Sequence, residues 1–135
     1  LNTKHTAANL TSKDKQALAA FFILLIKETS MAFKHISIAQ TLELLDKEDV
    51  VIADIRDPNS YQAGRIPGSE ALSNGNIAQF MMEKEFDQPI IIVCYHGMSS
   101  QGAASYLVEQ GFEDVYSMDG GFTAWEVAYS EKVER

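Results

Sequence analysis

The sequence is poor in cysteine, histidine and proline, with one, three and three of them in 135 residues. One cysteine excludes an internal disulfide, and a free thiol fits a reducing compartment, so we expect a cytoplasmic protein. A zinc site needs more thiolate and imidazole ligands than this set readily supplies. We therefore expect neither a metal nor another cofactor. The length predicts one domain, and the apolar content of 46% is enough for a core.

Basic side chains are also scarce, at 11 against 19 acidic ones, which gives a net charge of −8. Such a surface argues against nucleic-acid binding. Residues 1–30 carry four lysines against Asp14 and Glu28, a net of +2, so residues 31–135 carry −10. An anionic substrate would therefore need a local positive site on an acidic body.

Long apolar runs are missing as well. The run at 17–26 has ten apolar residues, too few for a helix that spans a bilayer, and no membrane association is expected. No A-x-A-like cleavage site follows it. Thr11 and Asp14 indicate a helix start, so we expect an extra N-terminal helix. We divide the chain into a helical leader, residues 1–30, and a domain, residues 31–135.

The leader has three open interpretations. It is a vector-derived or fused extension, a helix that docks on the domain or on a second copy, or a targeting segment. Its apolar surface favours packing somewhere rather than exposure to water.

From residue 33 the pattern alternates between strands and helices. Strands are predicted at 33–36, 50–54, 70–72, 90–93 and 115–117. Helices are predicted after a capping box at Ser37 and Gln40, and at 74–85, 101–110 and 122–129. The tail 130–135 is expected to fray. This alternation predicts an α/β fold, with a small, mostly parallel five-stranded sheet and helices on both faces.

The only cysteine, Cys94, follows the buried-type strand 90–93. A short loop comes next, then a helix that Ser99 or Ser100 can cap and Gly111 ends. Backbone N–H groups and the positive end of the helix dipole favour a thiolate there, which is the nucleophilic form. A lone cysteine is more often a small buried hydrophobe. Its position outside the carboxyl end of a strand, where ligands bind in α/β sheets, favours a functional role.

Four motifs come in a fixed order. They are Asp54-Ile55-Arg56-Asp57, Gly64-Arg65-Ile66-Pro67-Gly68-Ser69, Cys94-Tyr95-His96-Gly97-Met98-Ser99-Ser100 and Asp119-Gly120-Gly121-Phe122-Thr123-Ala124-Trp125. This order resembles rhodanese domains. The loop sequence and the single-domain length look like the GlpE type of thiosulfate sulfurtransferase. The resemblance covers roughly residues 33–128 and leaves out the first thirty.

The resemblance implies that Cys94 takes the outer sulfur of thiosulfate as a persulfide and releases sulfite. The implied acceptor is cyanide or a small or protein thiol, such as a dithiol. The implied substrate-binding residues act mainly through backbone N–H groups and are Tyr95, His96, Gly97, Met98, Ser99 and Ser100. Two alternatives stay open: a persulfide carrier in a sulfur relay, and a redox-sensing or interaction domain with an idle thiol.

The sequence departs from the family pattern in two places. Many rhodanese loops have Arg or Lys beside the cysteine, and this loop has neither. Arg65 stands where the family usually has His, which we interpret as a tolerated surface change. Asp54 and Arg56 are interpreted as a structural tie near the loop. A phosphatase of the Cys-x5-Arg kind is disfavoured, because the sixth residue after Cys94 is Ser100 and not Arg.

His96 is, with Tyr95, one of two titratable side chains in the loop, and we hypothesise that it tunes substrate entry. A His96→Ala variant is then expected to change the kinetics with thiosulfate between about pH 6 and pH 8, where imidazole titrates. Unchanged kinetics across that range would remove the hypothesis.

Overall fold

The computed structural model describes residues 11–30 and 32–135, and for residues 23–30 it describes the backbone only. The chain divides after Ala32 into two compact units. The first contains helix α1, Ser12–Ser30, whose start is capped reciprocally. The Thr11 hydroxyl accepts the Asp14 N–H at 3.0 Å, and the Asp14 carboxylate accepts the Thr11 N–H at 3.3 Å. The predicted extra N-terminal helix is thereby confirmed.

The origin of residues 1–30 stays a prediction, and residues 1–10 lie outside the described residues. No helix in the described part of the chain has the length and apolar character needed to cross a membrane.

The second unit, Phe33–Arg135, is built on one sheet. Its strands are β1 Lys34–Ile36, β2 Val51–Asp54, β3 Glu70–Ala71, β4 Ile90–Val93 and β5 Val115–Met118. They lie in the order β1-β5-β4-β2-β3, and every pairing between them is parallel. The predicted five-stranded α/β fold is confirmed. Because the strands are parallel, their carboxyl ends meet at one edge, with β4 at the centre.

Five α-helices connect or follow these strands. They are α2 Ile38–Glu43, α3 Pro58–Ala63, α4 Ile77–Glu83, α5 Ser99–Glu109 and α6 Gly121–Ala128. The predicted capping box is present, with the Ser37 hydroxyl and the Gln40 side chain each accepting the other residue's N–H. Helix α4 begins later than the predicted residue 74, because the Asn76 side chain accepts the Ser73 N–H at 2.8 Å and holds a turn there.

Side chains of β4 alternate between two apolar cores. Ile90 and Ile92 pack with α4 and α5, whereas Ile91 and Val93 pack with α2 and α6. All four are 0% exposed. Burial of one such side chain stabilises a fold by about 1.5–3 kcal/mol, so the strand that precedes Cys94 is firmly held from both faces.

The C-terminal tail is ordered, so the prediction that residues 130–135 fray is wrong. Ser130–Lys132 forms a 3-10 helix. The buried indole of Trp125 donates to the Lys132 carbonyl at 3.0 Å. Glu134 and Arg65 exchange two backbone hydrogen bonds of 2.9 and 2.8 Å. The tail is held because a buried indole N–H needs an acceptor and the Arg65 backbone offers a free edge.

A buried ion pair closes the carboxyl end of β2. Asp54 is 0% exposed, and its carboxylate accepts from Nε and Nη2 of Arg56 at 2.8–3.1 Å. The guanidinium also donates to the Gly64 carbonyl at 2.6 Å and lies 3.9 Å from the ring centroid of Phe122. Removing one partner of such a pair typically costs about 3–5 kcal/mol, because it leaves a buried charge uncompensated. The pair ties β2 to the start of α6.

Candidate active site

Cys94 lies directly after β4, and residues 95–98 form a tight loop that leads into α5. Gly97 and Ser100 are buried, as is Cys94 at 4% exposure. The other four residues that the sequence predicts for substrate binding are exposed: Tyr95, His96, Met98 and Ser99. The loop thus turns backbone towards the sulfur and side chains towards solvent.

Three polar groups surround the Cys94 sulfur. The N–H groups of Gly97 and Ser100 point at Sγ from 3.1 and 3.2 Å, and the Ser100 hydroxyl lies 3.2 Å from it. Gly97 has φ +88°, a conformation that other residues rarely adopt, and this turns its N–H inward. The predicted serine cap of α5 is wrong. The helix begins at Ser99 without a side-chain cap, because the buried Ser100 hydroxyl contacts sulfur instead of a helix N–H.

These contacts act on the ionisation of the thiol. Burial raises the pKa of Cys94, but the hydrogen bonds lower it by more, so the pKa lies below that of an ordinary cysteine. The hydroxyl and N–H of Ser100 lower it most, followed by the backbone N–H groups of Gly97 and His96. A sulfur that receives several N–H groups in a mostly dry environment is stabilised as a thiolate.

The first turn of α6 holds the loop in this conformation. The N–H of Phe122 donates to the Cys94 carbonyl at 2.8 Å, and the N–H of Thr123 donates to the Tyr95 carbonyl at 3.0 Å. Gly121, with φ +63°, lies against these carbonyls, and a Cβ there would overlap them. Because α6 binds the loop's outward carbonyls, the following N–H groups are free to face the sulfur.

A second tether was missed by sequence reasoning. The Tyr95 hydroxyl donates to the Asp57 carboxylate and lies 2.6 Å from the Ser60 hydroxyl. Asp57 also caps α3 by accepting the Ser60 N–H at 3.1 Å. Hydrogen bonds from Tyr95 and Ser60 hold the pKa of Asp57 down at about 2. The Asp57–Ser60 spacing signals a helix cap, but nothing local signals its contact with the loop. A cavity of about 230 Å³ lies alongside, lined in part by Tyr95, Arg56 and Phe122.

The arrangement bears on phosphatase chemistry too. Ser100 stands at the position that would carry the phosphate-binding Arg. It is 0% exposed, and its N–H donates a hydrogen bond to the Cys94 sulfur. Arg56, the nearby buried guanidinium, is committed to Asp54 and the Gly64 carbonyl. The loop therefore offers main-chain dipoles rather than a cation to an anion.

Fold and site define an α/β domain that presents one activated cysteine at the carboxyl edge of a parallel sheet. Residues 37–128 match the model of the rhodanese-like domain. The chain belongs to this family. It is 96% identical over 105 residues to the thiosulfate sulfurtransferase GlpE of Pseudoalteromonas translucida, which covers 78% of this chain and all of that relative. The GlpE of Shewanella oneidensis is 52% identical over 97 residues, covering 72% of this chain and 96% of that protein.

Among solved structures, the fold is similar to a Rhodopseudomonas palustris protein of unknown function, described as a possible tyrosine phosphatase. That likeness has a TM-score of 0.63 at 28% identity and covers 76% of this chain and 86% of that one. The family resemblance drawn from the four motifs is confirmed. The roles of individual site residues stay predictions.

The close approach of α6 to the loop gives a sharp test. A Gly121→Ala variant is expected to lose about 100-fold in turnover, because its methyl group must push the Cys94 and Tyr95 carbonyls away and misplace the donors. Steady-state rates and melting temperature would be measured together.

The matched control is Gly102→Ala, at an open position inside α5 where an added Cβ meets nothing within 4 Å. It is expected to keep parent activity and to stabilise the helix by up to about 1 kcal/mol. Equal rates in the two variants would contradict a positioning role for α6.

Proposed function

We propose that this protein is a thiosulfate sulfurtransferase that works through a persulfide on Cys94. The observation that carries the proposal is the convergence of two N–H groups and one hydroxyl on the sulfur of the chain's only cysteine. The high identity to relatives named thiosulfate sulfurtransferase supports the substrate. The lowered pKa of Cys94 raises its thiolate fraction above that of an ordinary cysteine, and the thiolate is the nucleophilic form.

In the first step the Cys94 thiolate attacks the outer sulfur of thiosulfate. A bond forms between the two sulfurs, the bond from the outer sulfur to the sulfonate sulfur breaks, and sulfite leaves with the electron pair. The product is an anionic persulfide, so the negative charge stays within reach of the loop. Removing one donor from such a preorganised anion site typically costs about 2.7–4 kcal/mol of barrier.

In the second step a thiophilic acceptor attacks the terminal sulfur of the persulfide. Cyanide would leave as thiocyanate and a thiol acceptor as its own persulfide, and the Cys94 thiolate is regenerated. Tyr95, His96 and Met98 follow Cys94 in the loop with exposed side chains, and we propose that they shape access for the acceptor. One free cysteine supports a reducing compartment, and we place the protein in the cytoplasm as part of this proposal.

The persulfide gives the direct test. After incubation with thiosulfate, intact-mass spectrometry is expected to show one added sulfur, mapped to Cys94 and removed by cyanide. A Cys94→Ser variant is expected to gain none and to lose turnover, with a melting temperature near the parent's. Ser105→Ala, an exposed change on α5 away from the loop, serves as the handling control and is expected to gain the sulfur.

Turnover near the parent rate in Cys94→Ser would contradict the mechanism. A stable persulfide on the parent without steady-state turnover of thiosulfate and a thiol would instead identify a carrier in a sulfur relay.

We further propose that residues 31–135 form the catalytic unit and that residues 1–30 do not contribute to catalysis. The match to the Pseudoalteromonas relative, which spans that protein's full length with 105 residues, supports this division. Deletion of residues 1–30 is expected to leave turnover unchanged. Molecular mass in solution, measured before and after deletion, tests whether the leader joins two copies. A large loss of turnover in the shorter protein would overturn the proposal.

A further inference from the structure

Behind the active-site loop lies a second buried hydroxyl, that of Ser117 on β5. Its Oγ is 2.7 Å from the Ser100 Oγ, which is in turn 3.2 Å from the Cys94 sulfur. Ser100 and Ser117 are both 0% exposed. Ser117 reaches this place because β5 pairs with β4, with Ser117 opposite Ile92, two residues before Cys94. The three atoms form a short chain, sulfur to hydroxyl to hydroxyl, inside the protein.

The number of hydrogens in this chain differs between the thiolate and the thiol form of Cys94. The chain contains two hydrogen-bond contacts, one between the two hydroxyls and one between the Ser100 hydroxyl and the sulfur. When Cys94 is a thiolate, the chain contains two hydrogens, one on each hydroxyl. Ser117 then donates to Ser100, and Ser100 donates to the sulfur, so each hydrogen is used. A thiol adds a third hydrogen to the same two contacts. Within the described residues, Ser100 is the one hydrogen-bond partner of the Ser117 hydroxyl, so one hydrogen of the thiol form has no place in the chain.

An unused hydrogen on a buried polar group is unfavourable, whereas a filled chain is strengthened because each bond polarises the next. We propose that Ser117 is a positioning residue that favours the Cys94 thiolate by orienting and polarising the Ser100 hydroxyl. The inference rests on the proposed function, in which Cys94 is the nucleophile, and adds a residue that never touches the substrate.

Hydrogen bonds, and not charged side chains around the site, are the main causes that lower the Cys94 pKa. The titratable side chains on the loop and on the elements beside it are Asp54, Arg56, Asp57, Tyr95, His96, Tyr106, Glu109, Tyr116, Asp119 and Glu126, and His35 contacts Asp119. None of these side chains is among the main causes of the Cys94 pKa shift. The shift of the Cys94 pKa comes from burial and from hydrogen bonds, with the Ser100 hydroxyl as the largest favourable contribution. A neighbour such as Ser117 that makes the Ser100 hydroxyl a stronger donor therefore acts on the largest contribution that lowers the Cys94 pKa.

The test is a double-mutant cycle on the Cys94 pKa, read from the pH dependence of alkylation by iodoacetamide. Since the chain has one cysteine, the reagent reports a single site. Ser100→Ala is expected to raise the midpoint by about 1–2 pH units, the range for loss of a hydrogen bond to a charged group. Ser117→Ala is expected to raise the midpoint by about 0.5 pH unit, because the Ser100 hydroxyl loses the neighbour that polarises it. At a pH below the midpoint, alkylation would then be about threefold slower than in the parent.

Because Ser117 acts through Ser100, the double variant is expected to match Ser100→Ala alone. Ser105→Ala, an exposed change on α5, is the matched control and is expected to keep the parent midpoint. A parent-like midpoint in Ser117→Ala would overturn the inference, and so would a full additional rise when Ser117→Ala is added to Ser100→Ala.

The same samples separate this inference from the proposed function. If the parent gains no sulfur from thiosulfate, the proposed function fails whatever the midpoints are. If the parent forms the persulfide and Ser117→Ala keeps the parent midpoint, the role of Ser117 alone fails.

Discussion

The inward donation of the Gly97 and Ser100 N–H groups to the Cys94 sulfur is the interaction on which the site depends. Main-chain donors can converge on one atom only if the loop's carbonyls are satisfied elsewhere. The first turn of α6 does this, by donating two N–H groups to the carbonyls of Cys94 and Tyr95. The start of α6 thus fixes the loop that leads into α5, and both helices pack on the same sheet.

Two further groups of contacts keep that loop in place. The Tyr95 hydroxyl binds the cap of α3 through Asp57, and the buried Asp54–Arg56 pair links the end of β2 to α6 through the ring of Phe122. Neither group touches the sulfur. Each reduces the freedom of an element that positions a donor, which is how preorganisation lowers the reorganisation needed during reaction.

The acidic charge of the domain means that an anion must be attracted by groups within the loop. The body carries −10 from residue 31 onward, and the loop has no Arg or Lys. Thiosulfate, the substrate we propose, is a dianion, and the groups that the loop offers to it are the partial positive charges of its N–H groups. Partial charges act over a few ångströms and weaken sharply beyond them.

Much of this architecture could be predicted from the sequence, because the fold follows from local periodicity. The alternation of strands and helices predicted a mostly parallel five-stranded sheet, and the order of the four motifs indicated the family. What could not be predicted are contacts between distant residues: Tyr95 with Asp57, 38 positions apart, and Ser100 with Ser117, 17 apart. The serine-cap rule failed at Ser100 because a buried sulfur competes there with the helix N–H groups, a contact that no local pattern encodes.

The most direct measurement is the ionisation of Cys94 in the unmodified protein, followed by NMR through the Cβ resonance of isotopically labelled cysteine. Because hydrogen bonds outweigh burial at this thiol, the account predicts a midpoint below that of a cysteine in a short unstructured peptide measured under the same conditions. A midpoint at or above that value would contradict it, because burial would then outweigh the donors and the loop would not be an anion site.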